Sequence, residues 1–254
     1  MKIWLDNKIV DASTVVIDDD GWPSGDGIFE TLRTEKGKVF ELARHMRRAG
    51  TAAKNFKIKL PSENAILEAI RQLLIAEDHE IGRLRLLFSK DHFIAVHQSY
   101  REITAPAKLK MADSSKSISA IAFKTFPYTH RLELLEDARI NGFDEIICVT
   151  ESGEITEGAV SNYLFLLDGK WITTPLSSGV LPGVQRAIVI ERAGVEVKSI
   201  NRADLNRVSA ALVISSLKIA LPVQAINDRI LEIGQETLDL VAKIRAQTQS
   251  HSVG

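Results

Sequence analysis

The sequence predicts an α+β protein made of two α/β domains, and three observations predict it. The chain has 254 residues, room for one large domain or two small ones. Hydrophobic residues make up 45% and charged residues 26%, which suits a packed core rather than a disordered chain. Short strand-like runs and amphipathic helical runs interleave in both halves, and that rhythm is lost once, at about residues 101–117. The expected organisation is an N-terminal α/β domain over 1–105, a linker over 106–117 and a C-terminal α/β domain over 118–254.

The elements follow in order. Lys2 to Leu5 and Lys8 to Val10 flank the turn pair Asp6-Asn7, and Ile28 to Thr34 and Lys38 to Leu42 flank Glu35-Lys36-Gly37, so two hairpins are expected. Leu42, Met46, Ala49 and Ala53 recur at helical spacing. A second helix opens at Pro61-Ser62, with Ser62 as N-cap and Leu67, Ile70 and Leu74 on one face. Arg83 to Phe88 and Phe93 to Gln98 read as strands. Thr104 to Ala107 and Asp113 to Lys116 read as connecting chain. Beyond it come a strand over Ile118 to Lys124 and a helix with Leu132, Leu135 and Ala138 on one face, stopped at Gly142. Strands follow over Glu145 to Thr150, Asn162 to Leu167 and Lys170 to Thr174. The remaining elements are a helix from Val184 to Ala193, a strand over Ala210 to Ser215, and a last helix carrying Leu238, Val241 and Ile244. The polar stretch from Gln247 to Gly254 is expected to fray.

Charge and cysteine content narrow the function classes. Lys+Arg number 32 against 33 Asp+Glu, so the overall basic excess of a nucleic-acid binder is missing. The single cysteine, Cys148, lies in an apolar run and reads as a small buried hydrophobe. No Cys/His spacing of a structural zinc site occurs, and no metal is expected. Asp6 comes too early for the core of a signal peptide, and no apolar run approaches the ~18 residues of a membrane span. The expectation is a soluble cytoplasmic protein with no nucleic-acid or membrane partner.

Three segments carry chemistry. Lys124-Thr125-Phe126-Pro127-Tyr128 puts a lysine at the end of a strand, on the side shared with Ile118, Ala120 and Ala122. An amine there either snorkels to solvent or enters a cleft, where desolvation would make it a nucleophile toward a carbonyl. Glu154 to Asn162 packs two carboxylates, two hydroxyls and an amide beside a glycine, either a plain polar connection or a loop that fixes an acid. Gly179 to Arg186 runs glycine-rich into a helix start, a place that favours an anion, although the Gly-Lys-Ser/Thr ending of a P-loop is missing.

In this order and spacing, the three segments resemble the class IV (fold type IV) pyridoxal-phosphate enzymes. Gly25-Asp26-Gly27-Ile28-Phe29-Glu30-Thr31-Leu32-Arg33 and His45-Met46-Arg47-Arg48 match further elements of that family, and the resemblance runs from about residue 3 to about residue 228. Ser24 stands where an aromatic residue is common, and Ala49 where a leucine is. The resemblance implies a D-amino-acid aminotransferase-like architecture, pyridoxal 5'-phosphate as cofactor and a homodimer. It implies Lys124 as the Schiff-base lysine and proton shuttle, Glu157 at the pyridine nitrogen, and Arg48 on the phosphate. Backbone N–H groups of Val184 and Gln185 and the hydroxyl of Ser216 would complete the phosphate site, with Tyr128 near the lysine and Asn162 fixing the loop. Arg83 and Arg85, two apart on a strand, face the same way and are either substrate-carboxylate ligands or exposed strand charges.

The short chain and the Gly-Asp-Gly-x-Phe-Glu-Thr form resemble most the 4-amino-4-deoxychorismate lyases, which make 4-aminobenzoate and pyruvate for folate synthesis. The alternative is a class IV aminotransferase acting on branched-chain or D-amino acids. A non-enzymatic scaffold would be expected to lack a motif residue, and Lys124, Glu157 and Arg48 are all present.

Overall fold

The computed structural model describes residues 1–15, 21–112 and 123–252. In chain order its strands are β1 (Lys2–Leu5), β2 (Lys8–Asp11), β3 (Gly27–Glu35), β4 (Lys38–Phe40), β5 (Ile81–Phe88), β6 (Phe93–Ser99), β7 (Ala107–Met111), β8 (Thr125–Phe126), β9 (Glu145–Ile147), β10 (Asn162–Leu167), β11 (Lys170–Thr173), β12 (Glu196–Val197), β13 (Val208–Ser215), β14 (Ile219–Ile226), β15 (Arg229–Ile230) and β16 (Ser250–Ser252). The helices are α1 (Leu42–Phe56), α2 (Glu63–Ala76), α3 (Thr129–Ile140), α4 (Val184–Ile188), which continues as a π-helical turn over Val189–Ala193, and α5 (Gln235–Gln247).

The chain divides into two compact units. The first comprises Met1–Glu102, Phe123–Tyr128 and Gln249–Gly254. Its sheet has the order β16-β4-β3-β5-β6-β1-β2, with β8 added beside β3. Alternation along the strands divides the residues between two faces. Ile28, Leu32, Leu84, Leu86 and Phe88 meet α1 and α2 through Ala49, Ala53, Ile70 and Leu73. Phe29, Leu87, Ile94, Val96 and Phe126 form the opposite core. Ser62 caps α2 by accepting from the Ala65 N–H at 3.3 Å, as expected. The buried stripe of α2 runs through Ile66, Ala69, Ile70, Leu73 and Leu74, so Leu67 lies at its edge. Leu73 and Leu84 are fully buried, and truncating either to alanine would cost about 2–5 kcal/mol.

The second unit comprises Ile103–Ala122 and Thr129–Thr248. Its sheet has the order β12-β11-β10-β13-β14-β7-β9, with β15 on β14. β7 is parallel to both β14 and β9, and α3 falls in the crossover between β7 and β9 that parallel neighbours require. One core gathers Leu109, Ile147, Tyr163, Phe165, Val213 and Leu221. A second packs Leu134, Leu135 and Ala138 of α3 on Ile146, Cys148 and Ala159. Cys148 is fully buried, and burial pushes its thiol well above the usual range.

Several expectations need correction. Part of the expected linker, 107–111, is β7 inside the second sheet. The expected strand over Ile118 to Lys124 lies mostly outside the described residues. Lys124, assigned from sequence to the C-terminal domain, groups with the first unit. The polar C-terminal stretch forms an edge strand, β16, on β4, because backbone pairing needs no apolar side chains. β14 was not anticipated either: its Pro222 argues against a sheet interior, yet it sits between β13 and β7.

Candidate active site

In the first unit, β8 pins the lysine. Gly27 pairs with Phe126 and Ile28 with Thr125, and the Phe29 N–H donates to the Lys124 carbonyl at 2.9 Å. Gly27 permits this approach, since a Cβ there would lie 2.3 Å from the Phe88 carbonyl oxygen and 2.6 Å from the Phe126 ring. Lys124 is half-buried. Its Nζ lies 4.3 Å from the Phe29 ring centroid and 4.8 Å from that of Tyr128, contacts worth about 0.5–2 kcal/mol each to a cation. Trp22 completes the aromatic cluster, 4.6 Å from Phe29 and 6.1 Å from Tyr128.

The same cluster carries a second cation. The Arg85 guanidinium stacks on Trp22 at 3.9 Å and is 5% exposed. Arg83 follows on the same sheet face, its Nη2 donating to Gln98 Oε1 at 2.7 Å. Leu84 between them enters the helix-side core. Neither arginine is an exposed strand charge, and Arg85 shares its aromatic surroundings with Lys124.

On the helix side of the sheet, Arg48 meets Glu30. Its Nε donates to Oε1 at 2.8 Å and its Nη2 to Oε2 at 2.6 Å, and His45 Nδ1 lies 2.6 Å from Oε2. Burial would raise the Glu30 pKa, but the Arg48 and His45 charges and hydrogen bonds outweigh it and bring it to about 2. Burial holds the His45 imidazole below its ordinary value despite that carboxylate.

In the second unit the acid loop is heavily tethered. Glu157 is 3% exposed. Arg131 Nη2 donates to its Oε1 at 2.7 Å, while Asn162 Nδ2 and the Leu181 N–H donate to Oε2 at 3.0 and 2.9 Å. Arg131 Nη1 also donates to the Gly158 and Ala159 carbonyls. Glu145 fixes the rest of the loop, accepting from the Ala159 N–H at 3.0 Å and from Ser161 Oγ at 2.7 Å. Asn162 therefore holds the loop, as expected, and bonds Glu157 directly. Gly183 caps α4, and a Cβ there would sit 2.0 Å from Asn162 Oδ1, so only glycine lets the helix start against the loop. Val184 and Gln185 open α4, both buried, and Gln185 Nε2 donates to Thr248 Oγ1 at 2.7 Å. Ser216 lies half-buried in the turn between β13 and β14.

Sequence reasoning missed Glu30, Arg131, Glu145 and Trp22 as participants. Two of them left a signal. Glu30 alternates with Ile28 and Leu32 on an apolar strand face, and Arg131 shares the buried α3 face with Leu134, Leu135 and Ala138. A charge on an apolar stripe calls for a partner.

The chain is similar to several known proteins along most of its length. An aminodeoxychorismate lyase from Bacillus subtilis is 29% identical over 228 residues, covering 78% of this chain and 76% of that one. A putative branched-chain-amino-acid aminotransferase from Methanocaldococcus jannaschii is 24% identical, with 96% of each chain covered. A D-alanine aminotransferase from Bacillus licheniformis is 22% identical over 92% of this chain and 91% of its own. Among solved structures, the Escherichia coli branched-chain amino acid aminotransferase superposes with a TM-score of 0.83 at 20% identity, covering 100% of this chain and 99% of that one. A putative 4-amino-4-deoxychorismate lyase from Legionella pneumophila does so with 0.79 at 18%, covering 87% and 90%. These two likenesses establish the fold, a fold type IV aminotransferase architecture. The family model for class IV amino-transferases matches residues 27–226, from the start of β3 to the end of β14, and the chain belongs to that family of pyridoxal-phosphate-dependent aminotransferases and lyases.

Proposed function

We propose that this protein is a pyridoxal 5'-phosphate-dependent 4-amino-4-deoxychorismate lyase that yields 4-aminobenzoate and pyruvate. The observation that carries this reading is the 29% identity over 228 residues to a lyase of that name, beside 28% over 206 residues to the Escherichia coli branched-chain-amino-acid aminotransferase and 24% and 22% to two other aminotransferases. The Gly25 to Leu32 motif in its lyase-like form agrees with it.

Each unit carries groups that suit the cofactor. An amine among aromatic rings, an arginine oriented by a carboxylate, a helix start kept open by Gly183, and a fixed buried carboxylate match an aldehyde, a phosphate and a pyridine nitrogen. Lys124, Arg48, Glu157, Tyr128, Ser216 and the backbone of Val184 and Gln185 would hold it. When bound, the cofactor supplies an electron sink for the pair left on the substrate carbon. Lys124 Nζ takes the proton from the amine-bearing carbon and later returns one. Glu157 holds a proton at the pyridine nitrogen, and its three donors keep the carboxylate from turning away. Arg85, with Arg83 beside it, pairs with a substrate carboxylate. The protein acts as a cytoplasmic homodimer, and elution at monomer mass with cofactor bound would contradict that assembly.

The test supplies aminodeoxychorismate and follows pyruvate. Pyruvate release is expected. Amino transfer from amino acids to 2-oxoglutarate, without release, would make the alternative correct: a class IV aminotransferase for branched-chain or D-amino acids. The end-to-end match to the archaeal aminotransferase, 96% of each chain, is the observation on that side.

A further inference from the structure

We propose that Glu30 is a positioning residue, holding the Arg48 guanidinium in the orientation from which it receives the cofactor's phosphate. The inference rests on the reading of Arg48 as phosphate anchor and adds to it a role for Glu30, a residue of the Gly25 to Arg33 motif to which the resemblance gives none.

Glu30 and His45 are each 1% exposed, whereas the Arg48 side chain is 13% exposed. Of the three, the arginine is therefore the end presented outward. A carboxylate buried on an apolar strand face, between Ile28 and Leu32, is destabilising unless paired. An apolar side chain would fill that core at no such cost, so the carboxylate calls for a reason beyond packing. The geometry supplies one. Glu30 engages the Nε/Nη2 edge of Arg48 through both oxygens, at 2.8 and 2.6 Å, which fixes the guanidinium plane. His45, one helical turn before Arg48, holds the carboxylate in turn at 2.6 Å. The order of restraint runs His45 to Glu30 to Arg48. Arginine loses rotamer entropy when it is fixed, and a fork ordered beforehand gives up less of it on meeting an anion.

The experiment titrates cofactor-stripped protein with pyridoxal 5'-phosphate and, separately, with pyridoxal, which lacks the phosphate. Glu30→Gln keeps size but breaks the two-point contact. It is expected to weaken pyridoxal 5'-phosphate binding about tenfold or more while leaving pyridoxal within about threefold. Arg48→Lys is expected to lose the same discrimination, and the double variant to lose no more than Arg48→Lys alone. Glu30→Asp, which keeps the charge but shortens the reach, carries the test if the glutamine variant does not fold, with a smaller loss confined to the phosphorylated ligand. A folded Glu30 variant with the wild-type ratio of the two affinities, or losses that add in the double variant, would overturn the role of Glu30 alone. An unchanged ratio in Arg48→Lys would overturn the phosphate-anchor reading and this proposal together.

Discussion

Each unit holds a deeply buried glutamate paired with an arginine, Glu30 with Arg48 and Glu157 with Arg131, and the two pairs are built in opposite senses. In the first, Glu30 and His45 are sealed in the core and Arg48 reaches outward. In the second, both partners are almost wholly buried, and the carboxylate of Glu157 collects two further donors, Asn162 and the Leu181 N–H, that Glu30 does not. The same chemistry thus serves an arginine supported by an acid in one unit and an acid supported by an arginine in the other. Lys124 contrasts with both. Its Nζ lies over the Phe29 and Tyr128 ring faces, which attract a cation.

The largest test isolates the lysine from both pairs. Lys124→Ala leaves Glu30–Arg48 and Glu157–Arg131 intact, so thermal stability should stay near wild type while turnover falls roughly 10²–10⁴-fold. Visible absorbance that borohydride abolishes in the wild type should also disappear. Undiminished turnover would break the functional reading as a whole.

Glu157→Gln comes next, with turnover expected to fall about 10²-fold in a protein that still folds. Turnover near the wild-type rate would mean that the second pair is merely structural and the opposition between the units false. Arg131→Met should act chiefly on stability. It leaves Glu157 buried beside two neutral donors, a change expected to cost about 3 kcal/mol, measured as a lower urea midpoint at unchanged slope.

The smallest effect is on the acid limb. Glu30 falls from an ordinary value of 4.5 to about 2 in the fold. A depressed carboxylate stabilises above its unfolded pKa, and that contribution is lost as pH falls from about 4.5 through about 2. Urea midpoints measured from pH 6 downward should decline in that window, and less steeply in Glu30→Gln. Equal slopes would remove the electrostatic account of the first pair.

Much of this was legible in the residues. Period-2 alternation in β3 and β5 and the apolar stripes of α1 and α2 are local patterns, and the elements follow them. The arginine pair on β5 faces one way, as its spacing requires, and the family motifs carried the class of chemistry. Where expectation slipped, local pattern was an insufficient guide. The segment 107–111 alternates apolar and polar residues, but so short a run between the connecting stretches Thr104 to Ala107 and Asp113 to Lys116 reads as part of the linker. It becomes β7 only because β14 and β9 offer it parallel edges.

What the sequence determined by itself is the set of short-range facts: where periodicity makes a helix or a strand, which residues share a face, and which motif belongs to which family. Only the tertiary structure decided which charges meet. Arg131 finds Glu157 across 26 residues and Glu30 finds Arg48 across 18. The physical reason is burial. A charge on an apolar stripe signals that it must be neutralised, but the partner is whichever opposite charge the packed chain brings within hydrogen-bond reach, and that depends on how distant elements close on one another.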